Sequence, residues 1–397
     1  MAMRGCIMSI SHHIHPLYAA MGTTVFERMS ALSRELGAIN LGQGFPEGGG
    51  PLPLQQAAVR ALQDRSAQYP PSGGLPELRE AICAFYAARQ GLSLQPDEVI
   101  VTSGATEAIA SAILALVQPG DEVIVFEPAY DAYAPLVRRV GGVPVFVPLA
   151  PPRFAYPLDL LAQAIGPRTR MLIVNDPFNP AGTAATEAEL AELARLCVAH
   201  DLVVLSDEVW EGVRFDGQPH RSILAMPGMR ERGVKVGSAG KLFGMTGWKI
   251  GWMVASGAIG QALGRAHQFL TFTSAVPLQW AVAEGLGMDD VLDGQHEGWA
   301  MSRARLRQGL EQAGFTVLPN AATWFLCVDL AASGIAMTDA AFSERAVREA
   351  GVATIPISAL YEENRGPSHL LRLCFTKPDD ALDDAVERLA RFRMSLR

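Results

Sequence analysis

The sequence predicts an α/β protein with a large domain, whose mainly parallel sheet is flanked by helices, and a smaller α+β domain. Three observations carry this prediction. From about residue 97, short β-branched segments alternate with longer helical patterns, which is typical of βαβ units. After about residue 290, the pattern changes to long amphipathic helices with short strands between them. The chain of 397 residues is also too long for one compact core.

The expected elements follow one another in a regular order. The predicted strands of the first part are EVIVTSG, DEVIVFEP, RMLIVNDP and DLVVLSDEV, with helical patterns after the first two and near residues 186–200. In the second part, helices are expected at 297–313, 339–350 and 379–393, and strands at TWFLCVDL and HLLRLCF. We therefore expect an N-terminal arm with part of the small domain at 1–50, a large domain at 51–288, and a small C-terminal domain at 289–397, against which segment 38–46 packs.

The composition excludes several classes of protein. Hydrophobic residues make up 49% of the chain and charged residues 19%, which is typical of a globular protein. The net charge of −8 argues against nucleic-acid binding, and no apolar run approaches the roughly 20 residues that span a membrane. Five scattered cysteines predict buried thiols in a reducing cytoplasm. The eight histidines show no metal-ligand spacing, so we expect no metal.

Polar residues cluster after the predicted strands, at the edge of a parallel sheet where ligands bind. These clusters are Ser103 to Thr106, Asn175 with Asn179, Asp207 with Glu208, and Ser238 with Lys241. One such cluster is explained by helix capping. Four clusters at one edge predict a binding site.

Lys241 lies in the apolar segment SAGKLFGMTGWKIGW. Such a lysine is either a structural residue whose amine reaches solvent or a nucleophile with a lowered pKa. Ser238 and Lys249 offer a hydroxyl and a cation to one phosphate group beside the amine, and a predicted helix start at Gly104-Ala105-Thr106 offers backbone N–H groups. An amine that reacts with aldehydes, next to a phosphate site, suggests pyridoxal phosphate (PLP) as the cofactor.

Three further residues match the needs of this cofactor. A carboxylate is needed to keep the ring nitrogen protonated, and Asp207 follows a strand in VVLSDEV. Tyr130 in EPAYDAY is suited to cover the ring with its aromatic face, and Asn179 in NPAG to donate a hydrogen bond to the ring hydroxyl. Taken singly, each has a structural alternative: a helix cap for Asp207, a core position for Tyr130 and a turn before proline for Asn179.

Nine segments together match one family in both order and spacing. They are AINLGQGFPEG, QYPPSGGLPELREAI, VTSGATEAI, FEPAYDAYAP, NDPFNPAG, SDEVWEG, SAGKLFGMTGWKIGW, HQFLTF and LLRLCF. On these segments the sequence resembles the fold type I PLP-dependent aminotransferases of class I/II, and among them the branch of methionine and kynurenine aminotransferases. The resemblance implies the PLP-dependent transferase fold of type I, PLP as the cofactor, and a homodimer with shared active sites.

The resemblance also implies a role for each matching residue. Lys241 is expected to form the internal aldimine with PLP, Asp207 to bind the pyridine nitrogen, Tyr130 to stack on the ring and Asn179 to bind the ring hydroxyl. The expected phosphate ligands are Ser238, Lys249 and the helix start at Gly104, Ala105 and Thr106, together with the partner subunit's Tyr69. The substrate α-carboxylate is expected to bind Arg372, helped by Gly44 and Asn179.

Arg372 has support that does not depend on the resemblance. It interrupts the apolar run LLRLCF, where a guanidinium without an anion would be costly. Its partner is either a carboxylate of the protein or a bound substrate, and we favour the substrate.

The chain departs from the family pattern at two tryptophans. Trp210 stands where the family usually has a tyrosine that donates to the ring hydroxyl, and Trp324 replaces a tyrosine before Phe-Leu. An indole N–H donates a hydrogen bond but does not ionise, so we expect Trp210 to contact the cofactor and to reshape the site. For Trp324 we expect a core position.

The predicted reaction is transamination with ping-pong kinetics, in which an L-amino acid gives its amino group to a 2-oxo acid. One carboxylate-binding arginine and many apolar residues near the motifs favour methionine-like, aromatic or other neutral hydrophobic substrates, while kynurenine and a succinylated diamino acid stay open. One alternative is a PLP-dependent C–S β-lyase that acts on cysteine conjugates or cystathionine. A second, from a different class, is a non-catalytic PLP-binding regulator, which is disfavoured because no basic DNA-reading element is visible.

Overall fold

Strands and helices alternate along the chain, in a computed structural model that describes residues 13–396. The strands are β1 (Ile39–Asn40), β2 (Val99–Ser103), β3 (Glu122–Glu127), β4 (Val143–Pro148), β5 (Thr169–Asn175), β6 (Val203–Asp207), β7 (Gly233–Ser238), β8 (Ile250–Val254), β9 (Thr316–Val317), β10 (Phe325–Asp329), β11 (Val352–Ala353), β12 (Ile355–Pro356) and β13 (Leu370–Cys374). The helices are α1 (Pro16–Ala20), α2 (Val25–Leu36), α3 (Leu52–Asp64), α4 (Pro76–Gln90), α5 (Gly104–Leu116), α6 (Tyr133–Arg139), α7 (Leu158–Ala164), α8 (Glu187–Ala199), α9 (Ala239–Leu242), α10 (Gly257–Leu270), α11 (Val276–Gly285), α12 (Asp289–Gln312), α13 (Asp339–Arg345) and α14 (Asp379–Ser395).

The main sheet confirms the predicted α/β class. Its strand order is β2-β8-β7-β6-β5-β3-β4. Neighbouring strands from β7 to β4 are parallel, and β8 is antiparallel to both of its neighbours. The central strands are almost wholly buried because helices cover both faces, which explains their continuous runs of Val, Ile and Leu.

The strand register brings the predicted polar clusters to one edge of this sheet. Asn175, at the end of β5, pairs with Asp207 at the end of β6. Ser103 and Ser238, at the ends of β2 and β7, flank β8 opposite Ile250 and Gly251. Helix α5 begins directly after Ser103 and packs between α10 and the sheet. The carboxyl edge of the sheet therefore collects side chains from four strands, as the sequence predicts.

The C-terminal part forms a smaller α+β unit. Strand β10 lies between β9 and β13, β12 pairs with the other side of β13, and α12 packs against α14. The N-terminal strand β1 pairs in parallel with β11, so segment 38–46 does contact the C-terminal part. Helix α12 begins at Asp289, earlier than the expected 297. The domain boundaries at 50 and 288 stay predictions.

Two expectations from composition concern this fold. Cys197, Cys327 and Cys374 are buried and free, as predicted, whereas Cys83 is only half-buried and Cys6 lies outside the described residues. Between residues 13 and 396, no helix combines the length and the apolar character needed to cross a bilayer.

Candidate active site

A cavity of about 300 Å³ at the carboxyl edge of the main sheet brings most of the predicted residues together. Its lining contains Gly44, Gly104, Ala105, Thr106, Tyr130, Asn179, Asp207, Trp210, Ser238, Lys241, Lys249 and Arg372. Tyr69 lies outside this lining: it is 81% exposed and meets Phe272 edge to face at a centroid distance of 5.4 Å. Its expected contact with the partner subunit's site stays a prediction.

Lys241 lies in α9, directly after β7, and its amine faces aromatic rings rather than oxygen atoms. The Nζ atom is 4.8 Å from the ring centroid of Trp210 and 5.1 Å from that of Trp324. Burial lowers the pKa of Lys241 to about 8. A substantial fraction of the amine is therefore neutral near physiological pH, as a nucleophile or base requires.

Asp207 is held in place from several sides at the end of β6. Its side chain is buried, and the Tyr133 hydroxyl donates a hydrogen bond of 2.6 Å to Oδ2. The Asn175 side-chain amide donates to the Asp207 backbone oxygen at 2.9 Å. Burial raises the pKa of Asp207, while the Tyr133 hydrogen bond and the Lys241 charge oppose that shift. The sequence analysis did not find the role of Tyr133, whose only signal is its place three residues after Tyr130.

The start of α5 forms a cradle for an anion. Gly104, its first residue, has a φ of +72°, and a Cβ at this position would lie 2.9 Å from Lys249 Nζ. Only glycine therefore lets the cation approach the first helical turn this closely. Unpaired N–H groups of that turn, the helix dipole, Lys249 and the nearby Ser238 all favour a bound anion such as phosphate.

A buried ion pair supports this helix start from behind. Glu107 accepts a hydrogen bond from the Ser103 backbone N–H at 2.5 Å and lies 2.6 Å from Nδ1 of His267. The other ring nitrogen of His267 lies 2.7 Å from the Ser72 backbone oxygen, close in sequence to Tyr69. His267, in the segment HQFLTF, thus connects the anion cradle to the loop that carries Tyr69.

Arg372 lies on β13 and is 2% exposed. Its guanidinium donates to the Gly42 backbone oxygen at 2.8 Å and to Asn179 Oδ1 at 3.1 Å, while its Nε has no partner in the described protein. The ring of Phe325 covers it at 4.0 Å, and Gly44 is required beside that ring because a Cβ there would lie 2.6 Å from the Phe325 side chain. Burial lowers the pKa of Arg372 to about 10, so the group stays charged at neutral pH.

Asn179 connects the arginine to the rest of the cavity. Its backbone N–H donates to Asn175 Oδ1 at 2.9 Å, and its own Oδ1 accepts from Arg372. The side-chain NH₂ group is thereby left to donate, which agrees with the predicted role toward a ring hydroxyl.

The structure corrects the expectation for Glu208. Adjacent strand residues face opposite sides of a sheet, so Asp207 lines the cavity while Glu208 turns into a buried cluster with Glu211, His220 and Lys235. Lys235 donates hydrogen bonds to Glu208 and, at 2.6 Å, to Glu211. Sequence analysis missed this cluster.

The cluster has the side chains of a metal site but holds a protein cation instead. Ligand atoms of Glu208, Glu211 and His220 lie within 4.8 Å of one another. The Lys235 ammonium group lies among them and supplies the positive charge. The expectation of no metal stays a prediction. The chain has only four lysines, three of them at 235, 241 and 249, and this clustering is the signal in the sequence that could have pointed to Lys235.

The cavity thus combines a buried amine of lowered pKa, a buried carboxylate and a buried guanidinium at the carboxyl edge of an α/β sheet, which is where such folds bind ligands. Residues 37–389 match the family described as aminotransferase class I and II. The chain therefore belongs to this family and is an aminotransferase, which confirms the family resemblance.

Three relatives illustrate this membership. A probable N-succinyldiaminopimelate aminotransferase of Mycobacterium tuberculosis is 42% identical over 380 residues, which cover 93% of this chain and 96% of the relative. The methionine aminotransferase of Escherichia coli is 40% identical, with the same coverage of 93% and 96%. Kynurenine–oxoglutarate transaminase 1 of Mus musculus is 33% identical, covering 91% and 93%. The solved N-succinyldiaminopimelate aminotransferase structure from Mycobacterium tuberculosis superposes with a TM-score of 0.91 at 41% identity, covering 95% of this chain and 99% of that one.

Proposed function

We propose that this aminotransferase binds PLP through Lys241 and moves the amino group of a neutral, hydrophobic L-amino acid to a 2-oxo acid. The observation that carries the proposal is the environment of Arg372. Its buried guanidinium forms no ion pair with an acidic residue anywhere in residues 13–396, and it shares one cavity with Lys241 and Asp207. A buried cation without a counter-ion favours a carboxylate ligand from outside the protein.

The side chains of the cavity fit PLP. The Lys241 amine makes no hydrogen bond to any of residues 13–396, the start of α5 with Lys249 and Ser238 suits a phosphate, and the buried carboxylate of Asp207 suits a protonated ring nitrogen. When bound, PLP supplies an aldehyde that joins the amino group and a ring that takes up electrons as the α-proton leaves.

The protein's own groups then have defined tasks. Arg372 and the Asn179 side chain orient the amino acid by its α-carboxylate, with the backbone of Gly44 beside them. Lys241 Nζ, as a neutral amine, removes the α-proton and becomes an ammonium group that returns the proton. Asp207 keeps a proton on the ring nitrogen, and Tyr133 holds the Asp207 carboxylate in place.

The lining of the cavity supports a neutral hydrophobic substrate. Its basic side chains are Lys241, Lys249 and Arg372, and each already has a task. The rings of Phe26 and Phe325 line the cavity and lie against the Arg372 guanidinium. The names of the relatives include methionine, kynurenine and N-succinyldiaminopimelate. The last carries further carboxylates, for which this chain's own cavity offers no additional cation.

We also propose a cytoplasmic homodimer in which the partner's Tyr69 completes the phosphate site. Tyr69 and Phe272 are exposed and meet edge to face, and the loop that carries Tyr69 is joined by His267 to the ion pair that supports α5. The test mixes Lys241→Ala chains with Tyr69→Ala chains. If Tyr69 acts across the dimer, each hybrid contains one intact site and binds PLP with wild-type affinity. Hybrids without such a site would contradict the shared arrangement.

The reaction is tested by the absorption spectrum of the protein with PLP. Methionine, phenylalanine, glutamate and aspartate are added in turn, and then a 2-oxo acid. We expect methionine or phenylalanine to bleach the yellow colour and the 2-oxo acid to restore it. Colour that survives every amino acid, or colour that never forms, would contradict the proposal. Pyruvate and ammonia released from a cysteine conjugate without a 2-oxo acid would indicate the C–S β-lyase instead.

A further inference from the structure

The Lys241 amine is surrounded by two aromatic faces, those of Trp210 and Trp324, which we call the aromatic box. The Nζ atom lies 4.8 Å and 5.1 Å from the two ring centroids, and it makes no hydrogen bond or ion pair with the described part of the chain. The indoles meet edge to face, with centroids 5.0 Å apart and an angle of 82° between their planes. A cation within about 6 Å of an indole face is attracted by the ring.

Packing alone does not explain why residue 324 is a tryptophan. Its side chain is 0% exposed, as expected for a core residue, but its indole N–H has no hydrogen-bond partner among residues 13–396. A buried N–H without a partner destabilises the fold, and a phenylalanine would fill the core without this group. What the indole contributes is a large aromatic face against Lys241.

Trp324 contacts Lys241 from behind the cavity wall and therefore influences the site through that side chain. It does not line the cavity, in contrast to Trp210. On its other side it packs edge to face against Trp299 of α12, at a centroid distance of 5.2 Å. Trp299 therefore supports the aromatic box but is one ring further from the amine.

We propose that Trp324, together with Trp210, is a positioning residue for Lys241, because the aromatic box holds the free amine and favours its protonated form against the cost of burial. The inference rests on the proposed function. In that function the Lys241 amine passes through three states. It is first bonded to the cofactor, then free and neutral as a base, and then protonated by the α-proton. An amine held by aromatic faces passes between these states without breaking a hydrogen bond.

Other charged or titratable groups also face Lys241. They are Cys374 and Arg372 on β13, Asp207 at the end of β6 and Lys249 before β8. Burial lowers the pKa of Lys241 to about 8, Cys374 and Asp207 oppose this shift, and Arg372 and Lys249 add to it. A substitution at position 324 changes none of these groups, so a change in proton affinity reports on the aromatic box.

The test is the pH dependence of Lys241 acetylation in the full-length protein, after hydroxylamine has removed bound aldehydes. A trace of acetic anhydride labels neutral amines, and mass spectrometry measures the label on each of the four lysines, so that the others serve as internal references. Trp324→Leu removes the aromatic face, and Trp324→Phe keeps a smaller one. Trp299→Phe is the matched control, because it changes the next ring outward.

We expect a midpoint near pH 8 for Lys241 in the wild-type protein. In Trp324→Leu the midpoint falls by about 0.5 to 1 pH unit, which is roughly a 3- to 10-fold loss of proton affinity. Trp324→Phe lowers the midpoint by less and, because it also removes the unpaired N–H, does not lower the melting temperature. Trp299→Phe leaves the midpoint unchanged.

Two results would overturn the inference. One is a midpoint in both Trp324 variants equal to that of the wild-type protein, and the other is an equal shift in Trp299→Phe. If Trp324→Leu does not fold, Trp324→Phe decides the question alone. A wild-type Lys241 that titrates like an exposed lysine, near pH 10.4, would instead remove the reactive amine from the proposed function, which is a separate failure.

Discussion

Lys235 and Lys241 follow each other closely in the chain but have opposite environments. Lys235 is 0% exposed and is paired with Glu208 and Glu211, with the Tyr86 ring 4.7 Å away. Although burial alone lowers its pKa, the two carboxylates raise it above the ordinary value. Lys241 has no carboxylate within ion-pair distance in the described protein, and burial lowers its pKa to about 8. Both amines are buried, so the carboxylate partners, and not burial, account for the raised pKa of Lys235 and the lowered pKa of Lys241.

The two neighbouring carboxylates at the end of β6, Asp207 and Glu208, show the same contrast. Asp207 faces Lys241 across the cavity without forming an ion pair, and burial raises its pKa. Burial also raises the pKa of Glu208, the next residue, but the charge of Lys235 and the His220 hydrogen bond lower it to about 2. The end of β6 thus places one carboxylate in the cavity and the next in a buried ion-pair cluster.

Replacement of Lys241 is the strongest way to test this difference. Lys241→Ala removes the amine that we propose to bond the cofactor and to move the α-proton, so we expect turnover to fall by roughly 10⁴-fold. Lys235→Met, assayed at a temperature where it is folded, retains most of the activity. Steady-state rates of both variants measure this, and appreciable turnover in Lys241→Ala would show that the amine is dispensable.

Replacement of Lys235 tests the structural side of the comparison. Lys235→Met leaves two buried carboxylates without a cation, so the free energy of unfolding should fall by about 3–5 kcal/mol. Lys235→Met combined with Glu211→Gln removes one of the stranded charges and recovers part of this loss. Denaturant unfolding gives both values. A Lys235→Met protein as stable as the wild type would show that the cluster is not an anchor.

The pH dependence of this stabilisation follows from the two pKa directions. The folded pKa of Lys235 is raised, so its contribution is complete below the unfolded pKa near 10.4 and is lost as the pH rises through the folded value. The folded pKa of Glu208 is lowered to about 2, so its contribution is complete above the unfolded pKa near 4.3 and is lost as the pH falls toward 2. The stabilisation that these two groups give the wild-type protein should therefore be constant from about pH 6 to 9 and should shrink at more acidic and more alkaline pH, which denaturant unfolding as a function of pH measures.

Arg372 is a third buried cation, and like Lys241 it has no carboxylate within ion-pair distance in residues 13–396. Arg372→Ala removes the expected ligand of the substrate carboxylate, so kcat/KM should fall by roughly 10²–10³-fold, with most of the loss in KM. Because no acidic side chain is left unpaired, the melting temperature should fall much less than in Lys235→Met. Unchanged kinetics would mean that the arginine binds no substrate.

Trp210→Tyr is expected to have the smallest effect. The substitution replaces the indole face over Lys241 with a smaller ring that carries an ionisable hydroxyl. We therefore expect the pH at which the cofactor colour changes to shift by less than about 1 unit. A pH titration of the absorption spectrum measures this shift, with Trp299→Phe as the control. A variant with wild-type spectrum and kinetics would remove Trp210 from the list of cofactor contacts.

The sequence was sufficient to predict the positions of those site residues that are placed by the backbone of the strands. Asn175, Asp207 and Ser238 follow strands in a parallel pattern, and the register places them at one edge as predicted. The sequence was insufficient where contacts depend on distant side chains. Tyr86 and His220 reach the Lys235 cluster from other parts of the chain, which no local pattern indicates. The expectation that Glu208 joins Asp207 at the site was wrong, although the alternation of side chains along a strand could have shown that the two carboxylates face opposite sides.

Trp324 shows a different limit of sequence reasoning. The expected core position is confirmed, since the residue is 0% exposed. Its contact with Lys241 joins the residue just before β10 to α9, and an apolar residue pattern carries no information about such a contact between distant parts of the chain. A residue can thus belong to the core and to the surroundings of the reactive group at once.

The most direct measurement treats the PLP-loaded protein with borohydride and maps the covalently attached pyridoxyl group among the four lysines by mass spectrometry. We predict the label on Lys241 alone, because this amine makes no ion pair within residues 13–396, lies in the cavity with Asp207, and has its pKa lowered by burial to about 8. A label on Lys235, Lys249 or Lys377, or no label on any lysine, would contradict the claim that an unpaired amine at Lys241 is the reactive group of this aminotransferase.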